Sequence, residues 1–130
     1  MDERETTAGV AIKDGKVLVA KRAKGGPISE MWEFPGGKNR YGETIEDTLK
    51  REWLKELGVD VAVGEKLLQV DFINKDTSYH LMCHLVTPLC EDFEMLFHQD
   101  IRWVDRKELE NLEFGPSDKK IRDYIISRLL

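Results

Sequence analysis

Apolar and β-branched residues form two short runs near the start of the chain, and turn-forming residues separate them. The runs are Thr6 to Ile12 and Val17 to Lys21, with Lys13-Asp14-Gly15-Lys16 between them. An Asp-Gly pair between two such runs favours the tight type I′ turn of a β-hairpin. We therefore expect the chain to open with a hairpin.

The second half of the chain alternates between strand-like and helix-like patterns. Leu67 to Asn74, Tyr79 to Val86 and Ile101 to Val104 are strand-like runs. Arg106 to Leu112 predicts one or two helical turns, and Asp118 to Leu130 carries apolar residues at helical spacing. Strands and helices together predict a single mixed α/β domain over the whole chain of 130 residues.

Glycines mark the region before the first predicted helix. Arg22 to Met31 contains Gly25-Gly26-Pro27 and is predicted to be a loop. Trp32 to Pro35 then leads into Gly36-Gly37. Because glycine has no Cβ, this pair allows the backbone to approach other groups closely.

The segment from Thr44 to Leu57 has the features of a helix with defined ends. Thr44 is a candidate N-cap, Asp47 follows three residues later, and Gly58 comes just after the last turn. At about 100° per residue, one stripe of the helix is apolar and should face the interior. The stripe consists of Ile45, Leu49, Trp53 and Leu57.

Two glutamates of this helix project onto or beside the apolar stripe. They are Glu52 and Glu56. An unpaired buried carboxylate costs on the order of several kcal/mol or takes up a proton, so the pair requires a cation or a hydrogen-bond donor. Arg51 supplies only part of that requirement, because it points away from Glu56. The alternative is that both glutamates are ordinary surface residues of a charged helix.

Composition and charge narrow the classes of function. The chain is 41% apolar and 35% charged, as in globular proteins, and has no apolar run long enough for a signal peptide or a membrane span. We expect a cytoplasmic protein without a membrane partner. The net charge of -5 disfavours binding to a nucleic acid polymer. Cys83 and Cys90 are expected to be reduced packing residues, because no zinc-ligand spacing surrounds them.

Glycine, glutamate and arginine occur at a long and specific spacing around the helix. Gly37 is followed after five residues by Glu43, and after seven more by Arg51-Glu52-Trp53-Leu54-Lys55-Glu56-Leu57-Gly58-Val59. This pattern resembles the 23-residue signature of the Nudix hydrolases. The lead-in, Trp32 to Lys38, resembles their MutT-like branch, which degrades nucleoside triphosphates, and the likeness extends over nearly the whole chain. The resemblance implies a Nudix-type α/β/α sandwich with a mixed β-sheet and a loop-helix-loop catalytic motif.

The resemblance also implies a divalent-metal site. Mg²⁺ or Mn²⁺ would be bound by Glu52, Glu56 and the carbonyl of Gly37, and water would attack a phosphorus of a nucleoside diphosphate linked to a group X. The metal neutralises the diphosphate and makes water more acidic, which leaves proton removal to Glu52. Arg51 and Glu43 would form an ion pair that orients the helix.

Two acidic positions of the family pattern are changed in this chain. Lys55 stands where the first glutamate of the closing pair belongs, and Phe97 stands where MutT-like enzymes commonly carry a further glutamate. The remaining oxygens could hold one ion, whereas two or three would be harder to hold. Lys55 is predicted to contact a phosphate as a point charge. A replacement carboxylate from the adjacent loop is a further hypothesis, with Glu91, Asp92, Glu94 and Asp100 as candidates.

By the same resemblance, five residues are expected to contact the substrate. They are Arg22, Phe34, Lys38, Lys55 and Asp118. Asp118 would accept hydrogen bonds from a base edge with amino or imino donors, as in cytosine or an oxidised guanine, or it could instead cap the last helix. Arg22 could equally be a solvated strand end, and Phe34 a core residue. The histidines are expected to be strand or loop residues rather than ligands: His80, His84 and His98.

Three functions are compatible with the sequence. The first is a metal-dependent hydrolase that converts a nucleoside triphosphate into a monophosphate and pyrophosphate. The second is a Nudix fold whose metal site has decayed and which binds a nucleotide or a partner, as Lys55 and Phe97 favour. The third is hydrolysis of another compound, such as a sugar nucleotide or a dinucleoside polyphosphate. The expected partner is a nucleotide or a nucleoside diphosphate-linked small molecule, and the chain would be a monomer or a homodimer.

Overall fold

The computed structural model describes residues 1–26 and 29–130, and within them the chain forms seven strands and three helices. Residues 27 and 28 of the expected loop lie outside the described residues. None of the helices in the described part of the chain is long and apolar enough to cross a membrane. The elements are β1 (Asp2–Val10), β2 (Ile12–Lys13), β3 (Lys16–Lys21), β4 (Trp32–Glu33), α1 (Ile45–Leu57), β5 (Val61–Asn74), β6 (Thr77–Pro88), β7 (Asp100–Val104), α2 (Arg106–Asn111) and α3 (Pro116–Arg128).

Strands β1, β6 and β5 form one sheet. β1 runs parallel to β6, with Asp2 opposite Thr77 and Val10 opposite Leu85, and β5 runs antiparallel to β6. The two strands predicted in this region are confirmed, but both are longer than expected. Val61, Ala62, Val63 and Lys66 pair with β6, and a register shift interrupts the ladder between Val63 and Lys66. The hydrophobic pattern does not show such an extension, because ladder hydrogen bonds do not depend on the side chain.

Strands β2, β3, β4 and β7 form the second sheet, in which β3 pairs antiparallel with the other three. The expected opening hairpin is present. Asp14 and Gly15 have φ angles of 53° and 73°, as a type I′ turn requires. The first strand of the hairpin is shorter than predicted, however, because β1 leaves it to join β6 and only Ile12–Lys13 pairs with β3.

Helix α1 closely matches its sequence prediction. Thr44 caps the helix by accepting a hydrogen bond from the Asp47 N–H, and the Asp47 side chain bonds the Thr44 N–H in return. Gly58 ends the helix with a φ of 67°. The apolar stripe lies in the core, fully buried at Leu49, Trp53 and Leu57 and partly buried at Ile45.

The two faces of β3 divide the core into two parts. Leu18 packs with α1, whereas its neighbours Val17 and Val19 pack on the opposite side with α2 and α3. This alternation follows from the two-residue period of a strand. The strands therefore lie between α1 and the other two helices, and the expected α/β/α arrangement with mixed strand directions is confirmed.

Two expectations about single residues are wrong. Helix α3 begins at Pro116 with Gly115 as its N-cap, so Asp118 lies in the first turn and does not cap the helix. Proline is well suited to that first position, because it has no N–H to leave unpaired. Cys83 is buried as expected, but Cys90 is exposed after the end of β6 and is therefore not a packing residue.

Candidate active site

A cleft of about 800 Å³ brings together residues from distant parts of the chain. Its walls come from β1, the glycine loop, α1, the β5–β6 hairpin and the start of α3. Eight of the residues expected in the site line this cleft: Arg22, Phe34, Gly37, Lys38, Glu52, Lys55, Glu56 and Asp118. The other two, Glu43 and Arg51, are not part of its wall.

The Gly36-Gly37 pair allows the loop to pass between β1 and α1. A Cβ on Gly36 would lie 2.1 Å from the Thr7 carbonyl oxygen, and a Cβ on Gly37 would lie 2.4 Å from Glu52 Oε1. Gly36 therefore cannot carry a side chain without a shift of the backbone, whereas a side chain at Gly37 would displace the Glu52 carboxylate. The Gly37 carbonyl accepts hydrogen bonds from the Thr7 N–H and from the Thr7 hydroxyl, each at 2.9 Å. A metal ion at this carbonyl would have to displace one of those bonds, because the oxygen has two lone pairs.

Arg51 connects α1 to the loop that precedes it. Its Nε and Nη2 donate to the two oxygens of Glu43 at 2.7 and 3.0 Å, and Nη2 also donates to the Lys38 carbonyl at 3.0 Å. The Arg51 donors hold the pKa of Glu43 well below its usual range, at about 2. Arg51 Nη1 lies 3.0 Å from Glu52 Oε1. The bidentate pair of Arg51 with Glu43 positions the helix that carries Glu52 and Glu56.

Glu52 and Glu56 are buried on successive turns of α1, with exposed fractions of 8% and 4%. The alternative that they are ordinary surface residues is therefore wrong. Burial, together with the neighbouring carboxylates of Glu52 and Glu33, raises the pKa of Glu56 to about 9. Within the part of the chain that the structure describes, Glu56 Oε1 has no hydrogen-bond partner. A cation in the cleft would stabilise this arrangement of carboxylates.

Two further residues belong to the site and were not expected there. Glu33, at the end of β4, accepts a hydrogen bond from Arg22 Nη1 at 2.8 Å and lies 2.7 Å from His98 Nε2. The His98 side chain is completely buried, and its Nε2 also lies 3.5 Å from Glu56 Oε1. Ligand-type atoms of Glu33, Glu56 and His98 all lie within 4.8 Å of one another.

The sequence contains a signal for one of these two residues. Glu33 is a carboxylate between the apolar residues Trp32 and Phe34 in a strand-like segment, and both of those neighbours are buried. Such a carboxylate requires a partner. His98 carries no local signal, because its hydrogen-bond partner Glu33 is 65 positions away. His80 and His84 lie on β6 and do not line the cleft.

The two departures from the family pattern both face the cleft. Lys55 is exposed at its edge, and Phe97 lines it with 51% of its surface exposed. The Phe97 ring packs edge-on against His98, with ring centres 5.1 Å apart. No replacement carboxylate comes from the loop: among the described residues, none of the four candidates lines the cleft, namely Glu91, Asp92, Glu94 and Asp100. Glu91 pairs with Lys13, and Asp100 with Arg102.

Asp118 also lines the cleft, where it contacts the backbone of Phe34, the residue that follows β4. The Phe34 N–H donates to Asp118 Oδ1 at 3.1 Å. Burial raises the pKa of Asp118 to about 7. Phe34 is a core residue as well as a cleft residue, because its ring stacks on Phe114 at 5.3 Å between ring centres.

Comparison with known proteins identifies the fold and the motif together. The family model described as the NUDIX domain matches residues 7–124. The chain belongs to the Nudix family. One relative of this Nudix chain, named putative 8-oxo-dGTP diphosphatase 2, comes from Mycobacterium tuberculosis. It is 33% identical over 115 residues, which cover 86% of this chain and 80% of the relative.

Two proteins of Escherichia coli extend the comparison. The protein named CTP pyrophosphohydrolase is 29% identical over 114 residues, covering 88% of this Nudix chain and 84% of the relative. The solution structure of the ORF135 protein matches with a TM-score of 0.84 at 26% identity, covering 98% of this chain and 91% of that one. The relatives and structural neighbours support a MutT-like Nudix hydrolase, in agreement with the sequence.

Proposed function

We propose that the cleft hydrolyses a nucleoside triphosphate to a monophosphate and pyrophosphate, with Mg²⁺ or Mn²⁺ held at Glu52 and Glu56. The observation that carries this proposal is the position of the two carboxylates. They lie on successive turns of α1, are buried, and line one cleft with the cationic side chain of Lys55. Two buried acids beside a lysine suit a phosphate ester that arrives with its own cation.

The donor groups in the cleft fit a hard divalent cation. Mg²⁺ and Mn²⁺ prefer oxygen ligands, and Glu52 and Glu56 supply carboxylate oxygens. The buried Glu56 Oε1, without a partner among the described residues, supports a ligand at this position. The Gly37 carbonyl would contribute once a Thr7 hydrogen bond yields. When bound, the cation neutralises phosphate oxygens and increases the acidity of water.

The side chains of the chain itself have separate roles in the proposed reaction. Glu52 accepts the proton of the attacking water while an oxygen–phosphorus bond forms and the bridging P–O bond to pyrophosphate breaks. Arg51 holds Glu52 in place through its contact with Oε1 and through its pair with Glu43. Lys55 and Lys38 line the cleft and would neutralise charge on the phosphates.

Pyrophosphate release from a panel of nucleotides with Mg²⁺ or Mn²⁺ tests the reaction. Glu52→Gln keeps the shape of the side chain but removes the base, so we expect turnover to fall by at least about 100-fold. Glu46→Gln is the matched control, because Glu46 is an exposed glutamate of the same helix. Turnover of that variant should stay within about twofold of the parent, as for most surface substitutions.

Two outcomes would contradict the proposal. Full activity in Glu52→Gln would remove that residue from the chemistry. A chain that binds nucleotides but releases pyrophosphate from none of them would be a binding module with a decayed metal site. Release of other products from sugar nucleotides or dinucleoside polyphosphates would instead change the group X.

The nucleobase is proposed to lie near Phe34 and Asp118. Asp118 accepts hydrogen bonds when ionised, which favours a base edge with amino or imino donors. The relatives named for 8-oxo-dGTP and for CTP make these two nucleotides the first candidates for this chain. Both bases offer such donors to a carboxylate.

Base selection by Asp118 is tested with the ratio of kcat/KM for CTP to that for 8-oxo-dGTP. Asp118→Asn replaces one acceptor with a donor, so we expect the ratio to change by about tenfold, equivalent to one hydrogen bond. Because the pKa of Asp118 is about 7, the ratio should change between pH 6 and pH 8 in the parent and stay flat in the variant. Asp123→Asn, an exposed position of α3, is the control. An unchanged ratio in Asp118→Asn would exclude base selection by this residue.

The remaining expectations stay predictions from the sequence. They are the single domain over residues 1–130, the cytoplasmic location, the lack of a nucleic acid polymer as partner, and the choice between monomer and homodimer.

A further inference from the structure

Three donor atoms of metal-ligand type lie close together at the part of the cleft wall that Glu33 and Glu56 line. His98 Nε2 lies 2.7 Å from Glu33 Oε2 and 3.5 Å from Glu56 Oε1. Ligand atoms that surround one metal ion at about 2.1 Å lie roughly 3 Å from one another in octahedral geometry. The two distances from this nitrogen are therefore close to that spacing, and the ligand-type atoms of all three residues lie within 4.8 Å of one another.

An unpartnered carboxylate oxygen at this point is an independent observation. Glu56 is 4% exposed, and its Oε1, the oxygen nearest to His98, has no hydrogen-bond partner among residues 1–26 and 29–130. Buried polar atoms are nearly always bonded, so this exception indicates a group that is bound there in the working protein.

We propose that Glu33, Glu56 and His98 form a site for a divalent transition-metal ion such as Mn²⁺, next to the oxygen site at Glu52. The inference deepens the proposed function, since Glu56 would belong to both sites. A carboxylate has two oxygens and can bridge neighbouring ions. Arg22 occupies Glu33 Oε1 and leaves Oε2 directed at His98, so the arginine orients the carboxylate for this role.

The chemistry of the donors determines which ions suit the site. Imidazole nitrogen is a good ligand for first-row transition metals, whereas Mg²⁺ prefers an environment of oxygen atoms. His98 comes directly after Phe97, and Phe97 is the residue that replaces a family glutamate. The nitrogen ligand therefore makes the site selective for Mn²⁺ over Mg²⁺.

The direct test is pulsed EPR of untagged, full-length protein loaded with Mn²⁺ alone. Coordination by His98 would produce electron spin echo modulation from ¹⁴N of an imidazole. That signal should persist in excess Mg²⁺, which competes better for oxygen ligands than for the nitrogen site. Mn²⁺ that gives no ¹⁴N modulation in the parent protein would overturn the proposal without any variant, so a folding defect cannot obscure the result.

Variants then assign the nitrogen. His98→Gln should remove the modulation and lower Mn²⁺ affinity by at least about tenfold, with Mg²⁺ affinity changed less than about twofold. His80→Gln is the matched control, because His80 also contacts two carboxylates but lies outside the cleft. It should retain both the signal and the affinity. Loss of the signal in His80→Gln, or equal loss of Mg²⁺ affinity in His98→Gln, would contradict the assignment.

The result separates this inference from the proposed function. Nitrogen coordination in a protein that hydrolyses no nucleotide would support the metal site and overturn the hydrolase proposal. Efficient hydrolysis with Mg²⁺ and no nitrogen coordination to Mn²⁺ would do the reverse.

Discussion

Two histidines of this chain each contact a pair of carboxylates, in opposite surroundings. His80 lies on β6 at the surface, with Nδ1 2.8 Å from Asp71 Oδ1 and Nε2 3.0 Å from Glu3 Oε1. Each ring nitrogen has its own carboxylate, and the carboxylates are exposed to water. The His80 side chain therefore needs no further ligand, and its contacts join β1, β6 and β5.

His98 presents one nitrogen to both of its carboxylates and lies in the interior. Its Nε2 faces Glu33 and Glu56, while Nδ1 has no partner in the described part of the chain. A histidine and two carboxylates therefore form a satisfied surface network in one place and an unsatisfied buried cluster in the other. Residue composition is therefore alike in the two clusters, and only burial and the direction of the donor atoms distinguish the proposed metal site from the surface network.

The largest expected contrast between the two clusters is in catalysis. Glu56→Gln should lower turnover by at least about 100-fold, because it removes a proposed metal ligand. Even the loss of a hydrogen-bond partner of a metal ligand typically lowers metal affinity or activity by about 10- to 100-fold. Asp71→Asn, the corresponding change in the surface cluster, should leave turnover within about twofold. Steady-state pyrophosphate release measures both. Comparable losses in the two variants would show that the clusters are not different in kind.

A second contrast concerns the stability of the metal-free protein. Burial raises the pKa of Glu56 to about 9, so between pH 5 and pH 9 the folded state binds a proton that the unfolded chain releases. The free energy of unfolding should therefore fall as pH rises through this window. Glu56→Gln removes that dependence and should stabilise the metal-free protein by about 1 to 3 kcal/mol at pH 8.

Urea unfolding in EDTA at pH 5, 7 and 9 measures this effect. Addition of Mn²⁺ should make the parent protein more stable than Glu56→Gln, because only the parent protein gains binding energy from the ion. If Glu56→Gln were less stable than the parent in EDTA at pH 9, the buried carboxylate would be stabilising and the contrast with the surface cluster would fail.

The smallest expected effect belongs to the surface cluster. Hydrogen bonds to Asp71 and Glu3 raise the pKa of His80 above its ordinary value of 6.5. The contribution of His80 to stability is therefore complete below pH 6.5 and is lost as pH rises through the folded-state pKa. His80→Gln should reduce the melting temperature at pH 6 slightly more than at pH 8.5. The difference should disappear in high salt, because exposed ion pairs are screened; a difference that persists there would indicate a buried network instead.

The sequence predicted the parts of the site that depend on local geometry. Thr44, Asp47 and Gly58 define the ends of α1 through contacts within one turn, and a helical period places Glu52 and Glu56 on its buried side. The glycine pair was expected to allow close approach of the backbone, and the backbone at Gly36 and Gly37 does lie too close to Thr7 and Glu52 for a Cβ to fit without a shift. These features follow from neighbouring residues, so a single sequence contains them.

The extent of the sheets was predicted less well. The pattern of apolar residues located the strands but assigned all of residues 6–12 to a hairpin, whereas β1 pairs in parallel with β6 more than 70 positions away. Asp118 was placed at a helix end, but that helix starts at Pro116, two residues earlier than expected. In both cases a distant partner or a neighbouring proline determined the outcome.

The sequence by itself determined the helix, its two buried carboxylates and membership of the Nudix family, because the motif is a run of neighbouring residues with a fixed period. Only the tertiary structure decided that Glu33 and His98 complete the cluster at Glu56. These residues come from β4, from the loop before β7 and from α1, and their 65-residue separation leaves no local pattern. Burial and atomic direction arise when the chain packs, and they distinguish His98 from His80.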